Sequence, residues 1–394
     1  NFAEANLDVP VTSGAYTVTQ VEAGRSLTYT RLDNYWGKDL PVNKGRYNFK
    51  KITVEYFRDN TVALEAFKSG QYDFRSENTS KHWNTAYVGP NFDSGNIKKE
   101  LIRNYSPQGM QGFAMNIRRD IFKDPRVRQA ISYAMDFEWT NKNLFYGNYI
   151  RSESYFANSE LAASGLPSPE ELALLKPFET QLPPEVFSKA YEAPKTDGTG
   201  NIRNNLRIAM DLLKQAGWQI KDKKLVNAEG KPFKFEFLSI SAVPEYERII
   251  LPFIKNLQLM GIEVTLRSVD TPQYKERTDS FDFDMLMFTI PQSNSPGNEQ
   301  RSYFGSAAGK QKGGFNIIGI DSPVVDALTD KIVAAKTREE LVTACRALDR
   351  VLLWGHYVVP NWHYPFYRVA YWKKLHHADT FPKYALDLDS WWAE

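Results

Sequence analysis

Apolar residues recur along this chain with two different periods, and the switches between them predict its elements. Val127, Ala130, Ile131, Ala134 and Met135 fall on one helical stripe, with Arg126, Arg128 and Gln129 on the other side. Asp124 is placed to cap that helix, and Pro125 takes its first position, where a missing N–H costs nothing. The same period predicts helices over 60–69, 204–216 and 245–260, each stopped by a glycine (Gly70, Gly217, Gly261). Two consecutive helices are read at 321–335 and 338–354, the first opened by Ser322 and Pro323, and a short one at 169–175. Alternation predicts a hairpin beginning at 14–18 and returning over 26–31 across a turn with Gly24. Further strands are read at 51–57, 72–74, 97–103, 113–117, 233–238, 262–266, 281–289 and 366–372. Strand, helix and strand over 233–266 form a βαβ unit, so the expected class is α/β with a parallel, mostly buried sheet.

Length adds a second lobe to this picture, because 394 residues exceed what one core comfortably holds. The 49 Lys and Arg against 47 Asp and Glu give +2, and no basic stripe of the kind that binds nucleic acid is present. The one cysteine, Cys345, lies in a helical pattern and reads as an inert core thiol, which leaves no intramolecular disulfide and no CxxC pair. No apolar run approaches the ~20 residues that span a bilayer. Asn1, Phe2, Ala3 and Glu4 lack the charged start and apolar stretch of a signal peptide, so the sequence reads as mature, cropped or cytosolic.

Candidate chemistry is confined to loops. The five histidines form no HExxH; His376 and His377 are adjacent, and His356 and His363 have no ligand at zinc-like spacing. A GxSxG elbow and a GKS/T phosphate loop are absent, and Cys345 has no base beside it in sequence. No catalytic residue, metal or cofactor is therefore expected. After the strand at 72–74 come Arg75, Glu77, Asn78, Lys81, His82 and Trp83, where α/β lobes usually take their ligand groups. Both signs of charge and an indole suit the termini and side chains of a peptide; the same residues read equally as a solvated loop. Pro107, Gly109 and Gly112 around Gln111 let the backbone approach a ligand or simply turn. The high aromatic content, 14%, fits either a core or a wet binding cleft.

Four motifs in order also carry a resemblance. They are GAYTV at 14–18 with NYWG at 34–37, the strand ending at Asn116 followed by DPRVRQAISYAMD at 124–136, LLKQAGW at 212–218, and VDAL at 325–328 with its helix pair. Within the second motif Asn116, Phe122, Asp124, Val127, Arg128, Gln129, Ala130, Ile131, Tyr133, Ala134 and Asp136 match as they stand. Together they resemble the extracytoplasmic solute-binding proteins of ABC peptide transporters, the large oligopeptide, dipeptide and nickel receptors. Within that family the length, the Trp-rich end and one missing aspartate look most like the microcin C and peptide receptors of the Yej type.

The resemblance implies a type II-like, two-lobe periplasmic-binding-protein fold of the Venus-flytrap kind. Lobe I is expected over 1–117, with 113–118 as a crossing segment and Asn116 near the hinge. The second lobe is expected over 118–364, and a return segment over 365–394 ends in a tail docked on lobe I. In the family the GAYTV/NYWG signature lies in the middle of the polypeptide. Lobe I is therefore expected to be incomplete at its N-terminus, with unpaired strand edges unless a separate chain supplies the missing portion. The implied function is capture of an oligopeptide or modified peptide in the periplasm and delivery to an inner-membrane permease. The implied ligand-binding residues are Arg75, Glu77, Asn78 and Trp83 from lobe I, with Gln111, Phe288, Thr289, Ile290, Gln292, Ser293 and Asn294 from the second. Many peptide-binding members hold the ligand's α-ammonium with an aspartate just past the strand at 281–289. None stands there, which points to a ligand with a modified or blocked N-terminus. The rivals are a secreted peptidase or hydrolase using the same cleft, and a structural fragment that binds nothing.

Overall fold

A computed structural model describes residues 9–394 except Ala242 and Pro244. The chain divides into two compact units, Asn1–Tyr105 with Phe366–Glu394, and Ser106–Pro365.

In the first unit, strands Tyr16–Glu22, Ser26–Arg31 and Lys51–Glu55 form an antiparallel sheet in sequence order. A second sheet puts the return strand Phe366–Trp372 between Phe74–Ser76 and Ile97–Arg103. Its alternation divides two small cores. Ala370 packs with Leu64, Phe67, Trp83, Tyr87 and Ile97, whereas Val369 and Tyr371 pack with Ile102, Leu375 and Trp391. Asp59 caps the helix Asn60–Lys68, accepting from the N–H groups of Thr61 and Val62, and the helix buries Leu64 and Phe67. The chain end is docked within this unit. Trp391 is buried against Phe74 and Tyr371, and Arg46 donates from both Nη atoms to Asp387 at 2.6 Å.

The second unit is a helix–sheet–helix sandwich. Its sheet runs Glu263–Val269, Lys234–Ile240, Met285–Ile290, Gln108–Met115, Val358–Pro360, with Phe156–Ala157 on the start of Gln108–Met115. The first three strands are parallel, and Gln108–Met115 is antiparallel to both of its main neighbours. Phe113, Met115, Phe235, Phe237, Met285 and Met287 point to one face, packed against helices Pro125–Ser132, Arg203–Gln215 and Glu245–Leu259. Met110, Ala114, Leu238, Leu286 and Ile290 point to the other, under helices Pro323–Ala334 and Arg338–Trp354. Helix ends follow their sequence signals. Ser322 caps Pro323–Ala334, and beyond Arg203–Gln215 the N–H of Gly217 (φ 90°) bonds back to Lys214 while that of Trp218 bonds to Leu213.

Three readings change. Of the segment expected to cross between lobes at 113–118, residues 113–115 end a central strand, paired on both sides within the second unit, and the two compact units meet in sequence at Tyr105/Ser106. Asn116 is wholly buried there; its Nδ2 donates to the carbonyls of Phe281 and Phe283 at 3.0 and 2.8 Å. Arg128, assigned by period to the polar face of its helix, is buried. Its guanidinium donates to the carbonyls of Phe122, Lys123 and Gly355 and lies over the Tyr357 ring, so tertiary acceptors override the helical pattern.

Candidate functional site

In the first unit the structure brings Arg75 and Glu77 together, but turns them toward each other. Arg75 donates to the phenol oxygens of Tyr72 (2.9 Å) and Tyr87 (3.0 Å) and lies 3.3 Å from Glu77 Oε2. The buried Glu77 carboxylate also accepts from Tyr87 Oη at 2.9 Å and from the Thr79 N–H at 2.8 Å. Burial works to lower the Arg75 pKa, yet the phenols of Tyr72 and Tyr87 and the Glu77 carboxylate hold it above its ordinary value. The Tyr87 phenol is pushed up by burial and by Glu77. Such a saturated cluster fixes the loop shape and leaves Asn78 as its exposed member. Trp83 is buried in the adjoining core, with Lys99 Nζ 4.4 Å over its ring and donating to its carbonyl at 2.6 Å. Burial lowers the Lys99 pKa.

The second unit supplies a different kind of surface. Met285–Ile290 pairs along its whole length with Gln108–Met115. On its other side it pairs with Lys234–Ile240 only through Met285 and Leu286, while Lys234–Ile240 stays with Glu263–Val269 as far as Ile240 and Val269. The two strands therefore part after Leu286. Among the described residues, the outer edge of 287–290 has no ladder partner, so part of its backbone N–H and C=O groups is left available. Phe288 is half-buried, Thr289 exposed, Ile290 buried, and Gln111 stands opposite Thr289.

Glycine sets the backbone approach on the paired side of this strand. A Cβ at Gly109 would lie 1.9 Å from the Ile290 carbonyl oxygen, and one at Gly112 would lie 2.7 Å from that of Val359. Backbone therefore packs on backbone where the strand gives way to its loop.

In that loop Gln292 and Gln300 exchange amide hydrogen bonds at 3.2 and 2.7 Å. Ser293 is exposed, and the Asn294 carbonyl accepts from Arg338. The sequence reading found no carboxylate here and missed Glu299, whose Oε1 accepts from the N–H of Gly297 at 2.8 Å and from Gln300 Nε2 at 3.2 Å. A turn followed by a short helix, Glu299–Phe304, folds this acid back into the loop, and no fixed spacing from the strand announces that. Tyr72, Tyr87 and Lys99 were missed for the same reason: their roles depend on packing.

Among the described residues no group of three or more His, Cys, Asp or Glu is arranged to hold a metal ion, and no helix is long and apolar enough to cross a membrane. Ser152 Oγ lies 3.3 Å from His363 Nδ1, but Ser152 is wholly buried, where no substrate reaches a nucleophile. Burial pushes the Cys345 thiol up to about 12, in keeping with an inert core residue.

Residues 1–312 match the family described as bacterial extracellular solute-binding proteins, family 5 middle. A probable peptide-binding protein YejA of Agrobacterium fabrum is 43% identical over all of this chain, which spans 64% of that relative. The Escherichia coli K12 protein YejA is 41% identical over 97% of the chain and 63% of its own length, and a peptidoglycan-binding protein YepA of Agrobacterium fabrum is 38% identical over 99% and 65%. The chain thus spans somewhat less than two thirds of these relatives. Among solved structures, the oligopeptide-binding protein AppA of Bacillus subtilis in complex with a nonapeptide matches with a TM-score of 0.72 at 18% identity, covering 97% of this chain and 66% of that one. NikZ of Campylobacter jejuni in complex with Ni(L-His) matches with 0.73 at 16%, covering 97% and 68%. These likenesses show the fold to be the mixed α/β, type II fold of periplasmic binding proteins. With the fold, the motifs and the relatives in agreement, the chain belongs to family 5 of the bacterial extracellular solute-binding proteins.

Proposed function

We propose that this chain is part of the substrate-binding component of an ABC importer, acting in the periplasm to capture an oligopeptide or peptide-like compound for a membrane permease. The observation that carries this reading is the unpartnered strand edge at 287–290. An extended peptide added there gains main-chain hydrogen bonds that do not depend on its sequence. Relatives described as binding peptides and peptidoglycan support the same ligand chemistry, since both materials carry peptide backbone. In this reading Gln111, Phe288, Thr289 and Ile290 line the added strand, and Gln292, Ser293 and Asn294 form the loop at its end. Within the first unit, Arg75, Glu77 and Trp83 hold the shape of the loop that carries Asn78. Glu299 lies in the turn where a ligand ammonium would need a countercharge, so a free N-terminus suits this loop as well as a blocked one. The protein binds and releases its ligand without catalysis. The remaining third of the relatives' length is supplied by further polypeptide of the same receptor, on this chain or a separate one.

The test uses ligand chemistry and leaves the protein unaltered. Peptides N-methylated at successive positions are titrated calorimetrically. Strand addition predicts losses of about tenfold per removed hydrogen bond at every second position and tolerance between them. A uniform response to methylation would overturn the edge as the ligand site, and peptide cleaved on prolonged incubation would overturn a binding role.

A further inference from the structure

A second polar cluster of the second unit lies apart from the open strand edge and its loop, and its donors face no acceptor. Arg151 ends the short strand Ile150–Arg151, paired with Trp362–His363, and its guanidinium turns inward, 5.3 Å over the Phe137 ring. All three of its nitrogens are buried, and none has a hydrogen-bond partner among the described residues. The same holds for Tyr155 Oη, on a side chain 1% exposed, and for Trp354 Nε1. Tyr191 joins these groups. Its ring meets Trp354 edge-on at 5.5 Å and lies 6.1 Å from His356, while its phenol feels the Arg151 charge and acts in turn on that of Tyr155. Trp354 and His356 lead into Val358–Pro360, which stands two strands away from Met285–Ile290 in the sheet.

A guanidinium kept inside a protein without an acceptor is costly, because its desolvation is not offset. Burial lowers the Arg151 pKa, against the opposing pull of Tyr191, Glu138, Glu153 and Asp136. Those three carboxylates are engaged elsewhere. Asp136 caps its helix at the Trp139 N–H and accepts from Thr196 Oγ1, Glu138 accepts from the Thr196 N–H at 3.0 Å, and Glu153 accepts from the Ala193 N–H at 3.1 Å. Burial pushes the His356 imidazole down to about 4, so this ring adds no charge near neutral pH. What converges here is a guanidinium fork, an indole N–H and a hydroxyl, walled by aromatic rings. A planar fork of that kind matches two oxygens of one anion. We propose that Arg151, Tyr155 and Trp354 form a binding site for one compact oxyanion, either a small carboxylate or inorganic phosphate. The bound anion fastens segment 189–196, which carries Tyr191, Ala193 and Thr196, against the sheet. This site does not depend on what the strand edge at 287–290 binds.

The experiment follows thermal unfolding of the whole chain in a zwitterionic buffer while sodium phosphate or sodium formate is added, with sodium chloride at the same ionic strength as reference. The expected result is a saturable rise of about 3 °C or more in melting temperature from at least one oxyanion and not from chloride. The anion that saturates at the lower concentration decides between phosphate and carboxylate. Hydrogen exchange at saturation should show new protection over 189–196. Arg151→Met should abolish the rise. Tyr155→Phe removes only a hydroxyl without a partner, and should increase the concentration needed for half the rise about fivefold or more. Arg207→Met, at an exposed position of Arg203–Gln215, should keep the native response. No saturable rise, an equal rise from chloride, or a native response in both Arg151→Met and Tyr155→Phe would each overturn the proposal. If Arg151→Met does not fold, Tyr155→Phe decides alone.

Discussion

His356 and Asp349 sit a few residues apart in the second unit and respond to acid in opposite directions. Burial, with a contribution from Arg128, pushes the His356 imidazole down to about 4 from 6.5. Burial pushes the Asp349 carboxyl up to about 6 from 3.8, although Ser154 Oγ and the N–H groups of Tyr155 and Ala163 donate to it. Between pH 6.5 and 4 the unfolded chain protonates His356 and the folded chain does not, so acid costs stability. Between pH 6 and 3.8 the folded chain protonates Asp349 and the unfolded chain does not, so acid adds stability. Each amounts to on the order of 3 kcal/mol, and in the native protein they largely cancel. Urea unfolding at pH 7 and pH 4.5 separates them. His356→Gln should gain stability on acidification, Asp349→Asn should lose it, and parallel shifts in both variants would refute the assignment. Beside them Arg350 donates through Nε to Glu171 at 2.5 Å, both groups buried, and ties helix Pro169–Leu175 to helix Arg338–Trp354. Glu171→Ala should cost about 3–5 kcal/mol by leaving that buried guanidinium without its countercharge, held only by the carbonyls of Ser164 and Gly165, read as a shift in urea midpoint.

The strand Gln108–Met115 decides the most. Five of its eight residues are buried, and its two glycines allow neighbouring backbones to approach without a side chain between them. Gly109→Ala should cost at least the about 1–3 kcal/mol of ordinary overpacking, because the obstruction is the fixed carbonyl of Ile290 and not a mobile side chain. The same substitution should reduce peptide affinity by displacing 290–292, whereas a melting temperature unchanged from the native protein would show that the strand yields locally. Among elements, the sequence was clearest where local signals agreed. The helices capped by Asp124, Ser322 and Thr337 begin at the next residue, and Pro169–Leu175 and Phe366–Trp372 lie where period and punctuation put them. The helix Thr271–Asp279 went unread because its face is polar throughout and buries nothing fully, so no apolar period marks it.

At the scale of the whole molecule, two units of different construction share one chain, and the first is closed by residues more than three hundred positions apart in sequence. Trp391 is 1% exposed and touches the rings of Phe74, Tyr371 and His377. Trp391→Ala should cost about 3–5 kcal/mol in that unit, and hydrogen exchange should show Phe366–Trp372 losing protection. If protection there is unchanged, the docked end is an ornament on a core that stands without it. The class of fold, the α/β alternation and the family were all legible in sequence, because periodicity, caps and motif order are local. The candidate site was legible only as a place. The loop after 72–74 and the strand ending at Ile290 were marked, but not that Arg75 and Glu77 satisfy each other or that Gln292 is engaged by Gln300.

What the sequence determined by itself is the set of elements and their apolar faces, since each follows from side chains three, four or two residues apart. Tertiary structure alone decided which faces meet. It buried Arg128 against three carbonyls that no spacing could point to, and it parted two parallel strands after Leu286 to leave an edge open. It also left the row from Val18 to Val54 outside the buried apolar clusters of the described residues, because a strand's period says which side seeks burial and says nothing of what is present to bury it.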